Sequence, residues 1–238
     1  MARPGEARRE IVVVASRMEL DDVSGRVLFP APQMGPWLPF VRFAETLTTG
    51  TGDAADSHAH RAEEVMSYVV EGRVEYVDDR EQSTLLDPGA VVLLTAREES
   101  RHNLIARPHP RARWLSTIVR APPAPGEPGR RVQVGTARSP APSADGVVER
   151  RLVGPGAPVD SAVGLECADL EFLRPGRCTC RLGPERRAVA YVYEGSAAVD
   201  GRPVATGSGA LIERMEAVAV EATAGTRLLL ASAPRSPS

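Results

Sequence analysis

The chain repeats itself. Ser67-Tyr68-Val69-Val70-Glu71-Gly72 returns as Ala190-Tyr191-Val192-Tyr193-Glu194-Gly195, 123 residues later. Downstream, Pro88-Gly89-Ala90-Val91-Val92 returns as Ser208-Gly209-Ala210-Leu211-Ile212, at an offset of 120. A single six-residue match is weak evidence. Two matches in the same order at nearly equal offsets point to two copies of one structural unit.

The unit is a β-unit. Sustained helical periodicity is absent, and short valine-rich runs are separated by Gly, Pro and Asp. Strands are expected at Ile11–Ala15, Trp37–Ala44, Val65–Val70, Arg73–Val77, Ala90–Leu94 and Trp114–Val119. Glu71-Gly72 reads as a tight hairpin turn, and Asp87-Pro88-Gly89 as a second turn. The run Ala121–Arg131, APPAPGEPGRR, can form neither a helix nor a central strand, because proline lacks the donor that both require. It reads as a linker. The expected organisation is a domain at 1–120, a linker at 121–131 and a second domain at 132–238. A length of 238 residues suits one or two domains.

Composition removes several function classes. Lysine is absent, all 29 basic residues being arginine, so Schiff-base and P-loop chemistry are excluded. A net charge of −2 gives no basic face for nucleic acid. No apolar run approaches a membrane span, and Ile11-Val12-Val13-Val14 is too short for a signal-peptide core. The expectation is a soluble, cytoplasmic monomer or homodimer that contacts neither membrane nor nucleic acid directly. The cysteines are Cys167, Cys178 and Cys180. An odd number argues against a disulfide framework. Cys178-Thr179-Cys180 would put both thiols on one face of a strand, but no further cysteine or histidine pair lies near in sequence, so all three read as buried structural thiols.

Chemistry concentrates in the first copy. The chain has four histidines. His58-Ala59-His60 places two imidazoles on one face of a strand, Glu64 follows four residues after His60, and His102 comes after the two turns. A divalent first-row ion needs such nitrogen and carboxylate donors at about 2.0–2.2 Å. The candidate ligands are therefore His58, His60, Glu64 and His102. Glu64 keeps the parity of the histidines only if the strand runs unbroken through Arg61-Ala62-Glu63. On that parity Met66 and Tyr68 would line a substrate pocket. His109, between two prolines, reads as an exposed loop residue, Glu63, Glu98 and Glu99 as solvated charges, and Arg186-Arg187 as a surface pair. Carried to the second copy by the repeat offsets, His58, His60, Glu64 and His102 fall on Arg181, Gly183, Arg187 and Ala222. The second copy is thus expected to keep the scaffold without the ligands.

These residues resemble a known family. The HxH pair, the Glu four residues on, the glycine hairpin, the Pro-Gly turn and the later His are similar to the cupin pattern. Ser57 through Gly72 resembles the pirin signature, approximately HPHRGFETVSYLLEG. Pro39-Phe40-Val41-Arg42-Phe43 and Leu93-Leu94-Thr95-Ala96 through His102 resemble its flanking segments, and the likeness covers roughly residues 37–104. The resemblance implies an all-β fold of two jelly-roll cupin barrels in tandem, the C-terminal one degenerate. It also implies a metal held by His58, His60 and His102. Pirins usually carry a glutamate two residues after the last histidine, where this chain has Leu104. Glu64 is then the candidate to complete the site or to act as catalytic base, with water the alternative.

The activity implied is that of a quercetin 2,3-dioxygenase-type oxygenase acting on a metal-chelating aromatic or enolic small molecule. It would use one divalent transition metal per chain, Fe(II) first, with Ni, Mn, Cu or Zn as alternatives. A non-oxidative cupin cyclase, isomerase or lyase of specialised metabolism is the second expectation. A pirin-type regulatory or redox-sensing binding protein is the third.

Overall fold

The computed structural model describes residues 10–20, 24–30, 37–48, 52–53, 57–107 and 111–235. His109 lies outside them. The described residues form strands and no α-helix. Among them no helix is long and apolar enough to cross a membrane. In chain order the strands are β1 (Glu10–Ala15), β2 (Arg17–Leu20), β3 (Ser24–Phe29), β4 (Phe40–Thr48), β5 (Gly52–Asp53), β6 (His58–His60), β7 (Glu63–Glu71), β8 (Val74–Asp78), β9 (Ser83–Leu86), β10 (Ala90–Ala96) and β11 (Ser100–Ala106). They continue as β12 (Ala112–Arg120), β13 (Arg130–Thr136), β14 (Val147–Val153), β15 (Glu166–Phe172), β16 (Gly176–Arg181), β17 (Arg186–Glu194), β18 (Ser196–Val199), β19 (Arg202–Ala205), β20 (Ser208–Glu213), β21 (Ala217–Ala222) and β22 (Thr226–Pro234).

The described residues divide into two compact units. One lies within 16–138 and 151–166; the other lies within 1–15, 139–150 and 167–235. The first holds a sheet ordered β13-β10-β7-β12-β4-β3-β2 and a sheet ordered β5-β11-β8-β9, with β6 also paired to β11. The second has a sheet ordered β1-β20-β17-β22-β15-β14 and one ordered β16-β21-β18-β19. The inner order β10-β7-β12-β4 thus recurs as β20-β17-β22-β15, and β11-β8-β9 as β21-β18-β19. The sequence repeat is a repeat of topology.

The units are not the two consecutive stretches the proline-rich run suggests. Ala121–Arg131 lies wholly within the first unit. It is held there because Arg97 bonds the Pro122 carbonyl and the Glu127 carboxylate, and Arg97 N donates to Gly129 O at 2.8 Å. Its end enters β13, which adds to the edge of β10 with Ala96 opposite Arg130. In the second unit the matching edge, that of β20, is taken by β1, with Ile11 opposite Ile212.

Glycine turns fix both hairpins. Gly72 has φ 74°, and a Cβ there would meet Arg111 O at 2.2 Å. Gly195 has φ 72°, and a Cβ would meet Thr226 Oγ1 at 2.5 Å. Only glycine tolerates both the left-handed backbone and such an approach. The first unit packs Val69, Tyr76, Val92, Leu104 and Trp114 inside. The second packs Phe172, Val192, Val218, Val220 and Leu228.

Candidate metal centre

The short strand β6 carries the HxH pair and pairs antiparallel with β11, His58 opposite His102 and His60 opposite Ser100. Residues directly opposite share a face, as do residues at i and i+2. The three imidazoles therefore project to one side. Ring centroids lie 4.7 Å apart for His58–His60, 4.9 Å for His58–His102 and 5.1 Å for His60–His102. One nitrogen from each ring falls within 4.8 Å of the other two. His60 and His102 are buried, and His58 is exposed on the open side.

The electrostatics favour a neutral, metal-ready His102. Burial pushes His102 down to about 3, with the neighbouring His60, His58 and Arg130 adding to the effect. A histidine must be neutral to donate its lone pair. His60 Nδ1 pairs with Glu63 Oε2 at 2.9 Å, which fixes the ring and leaves Nε2 toward the cluster. That Nε2 and both His102 nitrogens are buried with no hydrogen-bond partner. Buried polar atoms are ordinarily satisfied, and an ion held by one nitrogen of each ring would satisfy His60 Nε2 and one of the two His102 nitrogens. On the far side of His102, Arg130 pairs with Asp78 and, at 2.6 Å, with Asp79. Tyr76 contacts the His102 ring at 5.5 Å. Burial raises its hydroxyl to about 12, against the lowering effect of Arg130.

Glu64 is elsewhere, so the expectation that it is a ligand or the catalytic base is corrected. Residues 61–62 form a bend, and Ala62 has φ 55°. That kink separates β6 from β7 and breaks the parity. Glu64 is fully buried, and its Oε1 accepts from Thr95 Oγ1 at 2.8 Å and from Ala162 N at 2.8 Å. Its Oε2 accepts a short bond from Ser161 Oγ. This carboxylate is used in tying the 151–166 segment to β7 and β10. Met66 and Tyr68 share its strand face by the period of two. The opposite face carries Val65 and Val69, and Val69 shares its cluster with Tyr76 and Leu104. Both Met66 and Tyr68 are buried rather than lining the histidine cluster.

Glu63, read from sequence as a solvated charge, is instead the carboxylate that contacts the cluster. Its side chain is 15% exposed, and Arg120 approaches its other oxygen at 3.4 Å. The His60-x-x-Glu63 spacing was the available signal. Leu104, two residues beyond His102 and on the same face, is buried in the apolar cluster. Among the described residues the cluster contains no carboxylate.

Known proteins share this fold. The family described as Pirin matches residues 31–113. A Pseudomonas aeruginosa protein named "Putative quercetin 2,3-dioxygenase" is 30% identical over an alignment of 199 residues that covers 73% of this chain and 66% of that protein. The chain thus spans about two thirds of that relative. A solved Acinetobacter baumannii quercetin 2,3-dioxygenase superposes with TM-score 0.80 at 18% identity, covering 94% of this chain and 79% of its own. The nickel(II) complex of the Escherichia coli pirin YhhW gives TM-score 0.77 at 17% identity, covering 95% and 100%. A Geobacillus kaustophilus protein gives 0.82 at 22%, covering 97% and 98%. At these identities the structures establish a common fold.

Proposed function

The chain belongs to the pirin-like proteins of the cupin superfamily, with two jelly-roll barrels in tandem, and on that premise we propose that its first barrel is a metal-dependent oxygenase of the quercetin 2,3-dioxygenase type. The observation that carries the reading is the convergence of three imidazoles, two of which bury nitrogens that have no hydrogen-bond partner. His58, His60 and His102 would hold one divalent transition metal, Fe(II) first among the candidates and Ni, Mn, Cu or Zn the alternatives. Such an ion, when bound, supplies a Lewis-acid or redox centre with open coordination positions. The substrate is an aromatic or enolic small molecule with adjacent oxygens.

The chain's own groups bind and orient. The exposed edge at His58 gives access. Leu104 and Tyr76, buried beside His102, offer an apolar wall for a flat ring. Glu63 holds the His60 tautomer. The proton of an enol does not pass to Glu64, whose oxygens are occupied.

One observation favours a second reading. A donor set of three imidazoles without a carboxylate matches zinc sites that work as Lewis acids, which suits a non-oxidative cyclase, isomerase or lyase. The two readings separate in one experiment. Protein loaded in turn with Fe(II), Ni(II) and Mn(II) is given flavonols while dissolved oxygen is followed. The oxygenase reading expects uptake with at least one metal, lost in His102→Ala. No uptake with any metal overturns it, and anaerobic turnover of an enolisable carbonyl compound by the zinc-loaded protein would support the alternative.

A further inference from the structure

The repeat offset of 123 carries His58 and His60 onto Arg181 and Gly183, which predicts a second barrel empty of ligands. Strand pairing gives a different correspondence. Tyr68 pairs with Val91, and its repeat mate Tyr191 pairs with Gly209. In these sheets β10 and β20 therefore correspond at an offset of 118. Beyond the next turns the same offset holds, because Asp79 N donates to Arg101 O in the first barrel and Asp200 N to Ala219 O in the second, which carries Ser100 to Val218 and His102 to Val220. Burial alternates accordingly: Ser100, His102 and Leu104 point inward on β11, Val218 and Val220 on β21.

The strand that pairs with β11 at these positions is β6, and its counterpart is β16. His58 faces His102 and His60 faces Ser100. Cys178 faces Val220 and Cys180 faces Val218. Cys178-Thr179-Cys180 thus occupies the place of His58-Ala59-His60. A longer connection between β16 and β17 than between β6 and β7 accounts for the misleading offset. Both cysteines turn toward the inner cluster that contains Val218 and Val220. Both are free, half-buried thiols, with their sulfurs 4.0 Å apart.

We propose that Cys178 and Cys180 form a second metal site, in the second barrel, for a thiophilic monovalent cation of the Cu(I) class. The geometry selects this chemistry in two steps. Residues at i and i+2 of a strand have Cβ atoms separated by about two residue rises, ~6.6 Å, whereas a disulfide needs Cβ atoms about 3.5–4.5 Å apart. A direct S–S bond would require the strand to buckle. A bridging ion does not. Two sulfurs each ~2.3 Å from a common ion and 4.0 Å apart subtend about 120° at it. Structural zinc and iron–sulfur sites take four protein donors, and catalytic zinc sites three. Among the described residues no third His, Cys, Asp or Glu joins the pair. Cu(I), soft and closed-shell, is stable with two or three ligands, and thiolates select it. Binding joins one Cu(I) to two sulfurs and releases the two thiol protons, with no change of oxidation state. The barrels thus offer imidazoles to a divalent ion in one case and thiolates to a soft monovalent ion in the other, from the same strand position.

The test uses the full chain with the histidine site silenced by His58→Ala/His102→Ala. Cu(I) is added anaerobically and competed with a Cu(I)-specific chelator, and copper X-ray absorption reports the bound atoms. The expected result is one chelator-resistant Cu(I) per chain with sulfur in its first shell, lost in Cys178→Ser and in Cys180→Ser. Circular dichroism checks that each variant is folded. Alkylation of the wild-type thiols followed by mass spectrometry is a readout that needs no variant: Cu(I) should protect Cys178 and Cys180 together and leave Cys167 unaffected. Retention of Cu(I) after Cys178→Ser or Cys180→Ser, a nitrogen or oxygen first shell, or failure of Cu(I) to protect the thiols would each overturn the assignment.

Discussion

The two barrels share a frame and differ in what one strand carries. In both, the inner sheet order is the same and a glycine with φ near 73° closes the main hairpin. Opposite β11 stand His58 and His60; opposite β21 stand Cys178 and Cys180. Around the first pair are a histidine partner and a buried Arg130–Asp78 ion pair. Around the second are valines. The frame is therefore specified by turns and apolar alternation, and the chemistry by a few inward positions that the frame leaves free to vary.

The largest expected effect comes from removing the residue the second barrel lacks. His102→Ala leaves two imidazoles, one of them exposed, and turns the first barrel into a two-donor site like the second. Divalent metal retained through gel filtration, measured by elemental analysis, should fall to background. Full retention would mean the three rings do not act together.

The converse substitution at Leu104 is next. The resemblance to pirins puts a glutamate here, and the corresponding residue of the second barrel is Ala222. Leu104→Glu buries a carboxylate beside Tyr76 and Trp114, at a cost on the order of 3–5 kcal/mol in the metal-free protein. Divalent metal should recover much of that loss if the introduced carboxylate reaches the ion. Thermal melts with and without metal decide this: an equal loss in both states would show that position 104 does not face the site.

Glu64 separates scaffold from site. It accepts from Thr95, Ser161 and Ala162, so Glu64→Ala leaves those donors unmatched and should cost about 2–4 kcal/mol. Metal content should remain that of wild type. Metal loss at unchanged stability would return Glu64 to the site.

The same residue shows what could be read from the sequence. The repeat, the strands, the glycine turns and the three histidines were all legible, because each leaves a local pattern of period, spacing or turn chemistry. The parity of Glu64, Met66 and Tyr68 was not. It depends on Ala62 adopting φ 55°, a conformation uncommon outside glycine and unmarked by any residue type there. The sheet partner of β1, a strand expected at Ile11–Ala15, and the strand β13 itself were hidden for another reason. Adding to a sheet edge uses backbone bonds alone, so Arg130–Thr136 carries no sign that it will join β10 rather than begin a second domain. The cysteine pair was visible as a pair, but its equivalence to the HxH pair required the strand register.

The smallest effect is expected at Glu63, which acts through His60 and has no counterpart carboxylate in the second barrel, where Arg186 takes its place by the repeat. A carboxylate on the remote nitrogen of a ligating imidazole fixes the tautomer and raises its basicity. Glu63→Gln keeps the size and one hydrogen bond but removes the charge, and its amide can also present an NH to Nδ1, which would favour the wrong tautomer. Metal affinity should fall by roughly 10- to 100-fold, equivalent to about 1.4–2.8 kcal/mol. Stability of the metal-free protein should hardly change, since Glu63 is partly solvated and its pairs are with His60 and, at 3.4 Å, Arg120. Competition against a chromophoric chelator measures the affinity and a thermal melt the stability. Glu63→Asp, too short to reach Nδ1, should resemble Gln in affinity. Unchanged affinity in both would mean that His60 is oriented by the strand alone.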